Sequence, residues 1–359
     1  DVTFKIQAVG LEHALVPGIE ISRETDVSYN RVKTGADSAS TSLYDPNTDD
    51  PYLENIQRDG SRNETAANSV ALYAFDTAKI NDQWEVTGGL RWDYFNVDYS
   101  SIATNGAVTT DLGRIDRTLS WRSGLVFKPQ ETGSIYLAYG TAFNPSAEGL
   151  ALSTTATATN NFAVDPEESR TYELGTKWDL AEERLAFNAA IFRTDKTNAR
   201  TEDTNNPNDI IALEGKQHVQ GLELGLTGHL TERWNAFMGY TLLLSEITKS
   251  ANASEVGNEL SNTPQNTFSL WNVYALPANF EIGGGLQFVG DRYSSNANNR
   301  RAPNYLTGDL MAAYKVNKNM TMRLNIYNVG DLEYIATVGG GHFIPGAGRS
   351  ATLTTEFKF

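Results

Sequence analysis

From Trp84 to Asp98 the side chains alternate so strictly that the segment presents a different kind of surface on each of two faces. Trp84, Val86, Gly88, Leu90, Trp92 and Tyr94 fall on one side, and Glu85, Thr87, Gly89, Arg91 and Asp93 on the other. A period of two is the geometry of an extended strand. The run is well beyond the roughly 5–6 residues of an average strand in a soluble sheet. A tilted membrane strand needs about 9–11 such residues, with aromatics at the edges of its apolar band. The segment therefore predicts a strand that crosses a bilayer with one face in lipid.

The pattern recurs along the chain. Leu222, Leu224, Leu226 and Leu230 alternate with Glu223, Gly225, Thr227 and His229; Leu185, Phe187, Ala189 and Ile191 alternate with Asn188, Ala190 and Phe192. Met320, Met322, Leu324 and Ile326 interleave with Thr321, Arg323, Asn325 and Tyr327, and Ala351 to Phe359 repeats the scheme at the end of the chain. Helical periodicity is absent over any comparable span. Tight polar connections at Ile80–Gln83, Pro129–Thr132, Ala181–Glu183, Thr231–Arg233, Pro277–Asn279 and Asn317–Asn319 alternate with long ones. The long ones read as Asn30–Arg62, Ser101–Gly113, Ala142–Glu167, Thr201–Asp209, Ile247–Thr263, Gly290–Asn304 and Val329–Gly348, all rich in small polar residues. Short turns on one side and long loops on the other describe a transmembrane antiparallel β-barrel. About 15 strands are present, the first two at Val2–Val9 and Glu12–Tyr29. Bacterial single-chain barrels close on even counts, so the expectation is a single domain over 1–359 whose first strands lie elsewhere.

Composition agrees and excludes alternatives. Mean hydropathy is -0.40, and no stretch approaches the roughly 18–20 apolar residues of a spanning helix. A net charge of -15 disfavours nucleic acid as a partner. Cysteine is absent, so neither disulfides nor thiolate metal sites enter. The four histidines, His13, His218, His229 and His342, form no catalytic or metal pattern with near neighbours. An enzyme is not expected. Asp49–Asp50 and Asp165–Glu168 have the composition of a calcium loop, but solvated loop carboxylates are their ordinary reading.

Several stretches resemble TonB-dependent siderophore receptors. They are Gly10-Leu-Glu-His-Ala-Leu-Val-Pro-Gly-Ile-Glu-Ile-Ser22, Ser69-Val-Ala-Leu-Tyr-Ala-Phe75, Gly88-Gly-Leu-Arg-Trp-Asp93, Glu168-Ser-Arg-Thr-Tyr-Glu-Leu-Gly175, Gln220-Gly-Leu-Glu-Leu224 and Pro345-Gly-Ala-Gly-Arg-Ser350. They span the chain in family order, with a texture most like the catecholate branch. The resemblance implies a 22-stranded barrel closed by an N-terminal plug, of which this chain looks like the last 15 strands, without the plug. It implies a monomer in the Gram-negative outer membrane, in contact with lipid and lipopolysaccharide. It also implies uptake of a ferric siderophore driven through TonB, iron arriving as a chelate with no resident cofactor. Phe359 matches the terminal aromatic read by the barrel assembly machinery. An open porin, or TonB-dependent uptake of a nutrient other than iron, remains the competing expectation.

A ferric chelate at the mouth calls for aromatic surface and cationic side chains. Arg292, Tyr293, Arg300 and Arg301 in one loop, His342 and Phe343 in the last, and Tyr44, Tyr52, Phe143 and Phe162 in two others are the candidates. Lipopolysaccharide phosphates or loop carboxylates compete for the arginines, and packing between loops competes for the aromatics. Strand parity turns Arg91, Arg122 and Arg323 toward the lumen, where a plug or paired carboxylates would meet them.

Overall fold

A computed structural model describes residues 1–35, 47, 49, 53–145, 165–203, 206–339 and 342–358, with backbone alone for 200–203 and 206–214. Tyr44, Tyr52, Phe162 and Phe359 lie outside the described residues.

The first strands are β1 (Phe4–Ala8), β2 (Leu11–Gly35), β3 (Glu54–Lys79), β4 (Trp84–Ile102), β5 (Val108–Gln130) and β6 (Gly133–Asn144). There follow β7 (Glu167–Leu180), β8 (Leu185–Asp203), β9 (Asn206–Thr231), β10 (Trp234–Lys249), β11 (Asn266–Ala275) and β12 (Phe280–Val289). The last are β13 (Arg292–Tyr293), β14 (Arg301–Ala302), β15 (Tyr305–Asn317), β16 (Met320–Tyr327), β17 (Ile335–Gly339), β18 (His342–Pro345) and β19 (Ser350–Phe357). Fifteen of them form one antiparallel sheet in chain order, from β1 through β12 to β15, β16 and β19. β13 pairs with β14 and β17 with β18, as two small hairpins inside the last loops.

Register carries each residue type across the sheet. Leu137, Leu174, Ile191, Leu222 and Leu242 stand opposite one another on successive strands. Leu137, Leu174 and Ile191 are 57%, 46% and 54% exposed, so this row is apolar surface without protein cover, as a lipid-facing wall requires. The opposite face is polar: the Tyr136 hydroxyl donates to Glu173 at 2.6 Å, and Arg91 pairs with Asp93 at 2.9 Å. Aromatic pairs mark the outer face at two depths. Trp84 lies on Phe127 at 4.6 Å near the short turns; Trp121, Tyr139 and Tyr172 follow one another at 4.5 and 4.9 Å toward the long loops.

The tight turns fall where the sequence places them, and Ala278 and Asn279 take left-handed φ of 59° and 63° in one of them. The long loops are shorter than the sequence suggests. The β2–β3 ladder continues from Tyr29↔Arg62 up to Gly35↔Glu54, so much of Asn30–Arg62 is paired strand. Ser101↔Thr110 and Asp203↔Asn206 likewise extend β4–β5 and β8–β9 into Ser101–Gly113 and Thr201–Asp209. Above the membrane both faces of a strand meet water. Alternation then vanishes from the sequence while backbone pairing persists. β2, β3 and β9 reach 25, 26 and 26 residues in this way.

Candidate functional site

The last three long loops form one connected body, and Arg292 is at its centre. The residue is 2% exposed. Its Nη2 donates to the carbonyls of Ile335 and Ala336, each at 2.7 Å, and its Nε donates to Asn262 Oδ1 at 3.2 Å. The guanidinium also lies 5.7 Å from the ring of Tyr305, which stacks against Tyr334 at 4.3 Å. Gly346 seats on that second ring; a Cβ there would lie 2.1 Å from the Tyr334 ring carbon Cζ. One side chain thus joins the loop after β10, the β13–β14 hairpin and the β17–β18 hairpin. Charged hydrogen bonds of this kind contribute about 1.5–3 kcal/mol each.

Three asparagines complete the body, each in the left-handed region, which their short polar side chains tolerate. Asn262, at φ 53°, donates its main-chain N–H to Tyr293 O at 2.8 Å. Asn298, at φ 52°, accepts from Glu259 N–H at 2.9 Å and returns its amide to Glu259 O at 2.9 Å. Asn328, at φ 47°, accepts from Leu332 N–H and donates to the carbonyls of Leu332 and Ala347, all within 3.0 Å.

This placement separates the sequence candidates. Arg292 is a strut rather than a surface cation: its Nη2 is committed to two loop carbonyls, while its buried Nη1 has no hydrogen-bond partner among the described residues. Arg301 forms an ion pair with Asp291 and lies 5.4 Å from the Tyr293 ring. Arg300 is exposed, with no ion pair among the described residues. His342 and Phe343 sit on β18, and Phe343 is 61% exposed. It lines a groove of about 630 Å³ together with Pro303, Glu333, Tyr334 and Pro345. Arg300, Arg301, Tyr293, His342 and Phe343 therefore belong to two hairpins that Arg292 holds together. Phe143 stands apart, on β6.

Arg91 and Arg122 occupy the polar face midway down the wall. Arg91 reaches Glu20 at 3.1 Å and Asp93 at 2.9 Å. Arg122 lies over Phe75 at 3.9 Å, and that ring fills the space left open by Gly89. Arg323 is on the same face, opposite Ala313 and Thr354, near the tight turn before β16. Sequence reasoning missed Asn262, Asn298, Asn328 and Tyr334. Their one visible signal is the density of asparagine between Asn252 and Asn328, without an indication of which are structural. Among the described residues no group of acidic or histidine side chains has the geometry of a metal site.

The chain matches the family model described as TonB dependent receptor-like, beta-barrel, over residues 2–329. A probable TonB-dependent siderophore receptor of Acinetobacter baumannii, PiuA, is 33% identical across 100% of this chain and 52% of its own length. The catecholate siderophore receptor Fiu of Escherichia coli K12 is 28% identical across 99% of this chain and 50% of its own. The PiuA crystal structure superposes with a TM-score of 0.87 at 31% identity, covering 99% of this chain and 55% of that one. The closed form of Fiu gives 0.86 at 26% identity, covering 99% and 53%. The chain spans about half the length of the curated relatives it matches.

Proposed function

The chain belongs to the TonB-dependent receptor β-barrel family, whose barrels reside in the Gram-negative outer membrane and act as transporters rather than enzymes, and from that premise we propose that it binds and imports a ferric siderophore of the catecholate type. The observation that carries this reading is the clamped group of loops. It holds Tyr293, Arg300, Arg301 and Phe343 on two hairpins fixed by one buried guanidinium. Aromatic faces suit catechol rings, and exposed guanidinium groups suit the anionic charge of a ferric tris-catecholate. The similarity to PiuA supports a siderophore as ligand, and that to Fiu supports one of the catecholate type.

In this reading residues 1–359 supply 15 strands of a larger barrel, expected at 22, and coupling to TonB runs through a plug outside residues 1–359. The free edges of β1 and β19 in the sheet order support it, because hydrocarbon does not tolerate an unpaired strand edge. Arg91 and Arg122 then face the plug, Phe359 serves assembly, and the polar inner face is a conduit rather than a reaction site.

Titration of the complete receptor with a ferric catecholate, a ferric hydroxamate and ferric citrate tests the proposal through quenching of tryptophan fluorescence. Saturable quenching by the catecholate alone is expected. Its absence, or equal quenching by all three, would overturn the ligand assignment.

A further inference from the structure

The wall is split between β5 and β6. Their ladder runs upward from the tight turn only to Arg122↔Gly140. Beyond that point β5 continues with β4 as far as Ile102↔Val108, and β6 continues with β7 as far as Asn144↔Glu167. The Thr141 hydroxyl closes the crotch, accepting from Trp121 N–H at 3.0 Å and lying 3.3 Å from Trp121 O. In an antiparallel strand the main-chain groups of every second residue point to the same edge. The N–H and C=O of Leu119 and Arg117 therefore point into the split, and no strand stands opposite them among the described residues.

On the outer side the split is a notch of about 480 Å³, with Trp121 and Tyr139 at its floor and Arg117 and Arg170 on its two walls. Parity turns both arginines outward, with Trp121 and Tyr172. Neither makes an ion pair among the described residues, although Arg170 stands opposite Asp195 on the next strand and attracts its charge; Arg117 lies 5.6 Å from the Tyr94 ring. The neighbouring outward arginine, Arg193, is already held by Asp195 at 2.8 Å. Depth is set by the aromatic row Trp121–Tyr139–Tyr172. Such rows mark the membrane interface. Arg117 lies four residues above Trp121, and Arg170 two above Tyr172. At about 3.3 Å per residue along a tilted strand, both guanidinium groups reach the headgroup layer.

We propose that this notch binds the phosphate of a phosphorylated glycolipid of the outer leaflet. Two guanidinium groups outside any ion pair among the described residues, with main-chain N–H groups on the β5 edge between them, form a set of donors for a phosphate monoester. The aromatic floor receives the start of the acyl region. Glu168 stands at the upper rim of the same notch. A free anion from the medium meets that carboxylate first, whereas a phosphate anchored in lipid enters from below along the apolar wall. The lipid headgroup would then satisfy main-chain groups of β5 that no described residue meets. This inference needs the membrane orientation of the barrel and not the identity of the siderophore.

The test uses the complete receptor purified from outer membranes in mild detergent, delipidated, and followed by native mass spectrometry. Three probes are added: bis-phosphorylated lipid A, lipid A stripped of both phosphates, and inorganic phosphate at millimolar concentration. Retention of phosphorylated lipid A, weakened about tenfold or more by dephosphorylation and not displaced by inorganic phosphate, is expected. The double variant Arg117→Gln/Arg170→Gln should lose the same factor, while Arg233→Gln, at a tight turn at the other end of the wall, keeps wild-type retention. Heat-modifiable gel mobility reports that each variant barrel is folded. Equal retention of the two lipid A forms by the wild type overturns the proposal whatever the variants do. So does displacement by inorganic phosphate, or an undiminished signal from a folded double variant.

Discussion

The two halves of this wall hold up their extracellular ends by different means. In the ribbons β2–β3, β4–β5 and β8–β9 the strands simply continue, and pairs such as Gly35↔Glu54 and Asp203↔Asn206 carry the ladder far above the aromatic row. From β11 onward the strands stop early, at 10 residues in β11 and 8 in β16, and the last three loops are tied by side chains. In the first half stability is spread over many equivalent backbone hydrogen bonds. In the second it is concentrated in Arg292 and three asparagines. The first design tolerates substitution nearly anywhere. The second fixes the direction of every group it presents, which is what a recognition surface needs and an extended ribbon does not supply.

The sharpest way to break this contrast is Arg292→Ala. It removes three hydrogen bonds and leaves two part-buried carbonyls without their donor, a local loss of about 4 kcal/mol. Hydrogen exchange should rise across 258–263, 290–304 and 329–339 and stay unchanged in 54–66. Arg292→Lys should restore little, since one ammonium does not reproduce the planar fork. Coupled loss in both halves would show that the latch is not an independent unit. The ribbon has its own point of failure. Ala66→Pro, opposite Thr25 on one side and Asp98 on the other, removes a ladder donor. It should cost the ribbon about 3 kcal/mol of protection. Ligand affinity should be kept, and its loss would place the ribbon in the binding surface. The smallest effect expected is from Thr34→Val, which deletes an exposed 3.1 Å hydrogen bond to Asn55 O. Exchange at the ribbon tip should change by less than about 0.5 kcal/mol; a larger change would mean that side chains matter there after all.

The same contrast governs how much of the molecule is legible in its sequence. Trp84 to Asp98 announces a membrane strand because lipid on one face and a polar lumen on the other impose opposite chemistry at successive positions. The climb of β3 from Arg62 to Glu54 does not, because both of its faces meet water and only the backbone records the pairing. For the candidate site, residue type picked out loops that the structure clamps together, but not how each side chain in them is turned. Arg292 and Arg301 are both arginines of one loop, yet the first is a buried strut and the second an exposed partner of Asp291. Orientation in an irregular loop is set by neighbours distant in the chain, here Ile335 and Asn262, which no local pattern reveals. Tyr44, Tyr52 and Phe162 lie outside the described residues, so the candidates from those two loops stand as sequence expectations.

The β2–β3 ribbon also bears on how the cell surface is seen from outside. Above Val70 it continues for 16 residues to Glu54, a reach of roughly 50 Å along the strand. An antibody or a bacteriophage tail would therefore touch this pair of strands before the clamped loops below. Because its shape rests on the main chain, its side chains are free to vary without disturbing the fold. A barrel built this way can change the face it shows to immune recognition while leaving the clamped loops untouched.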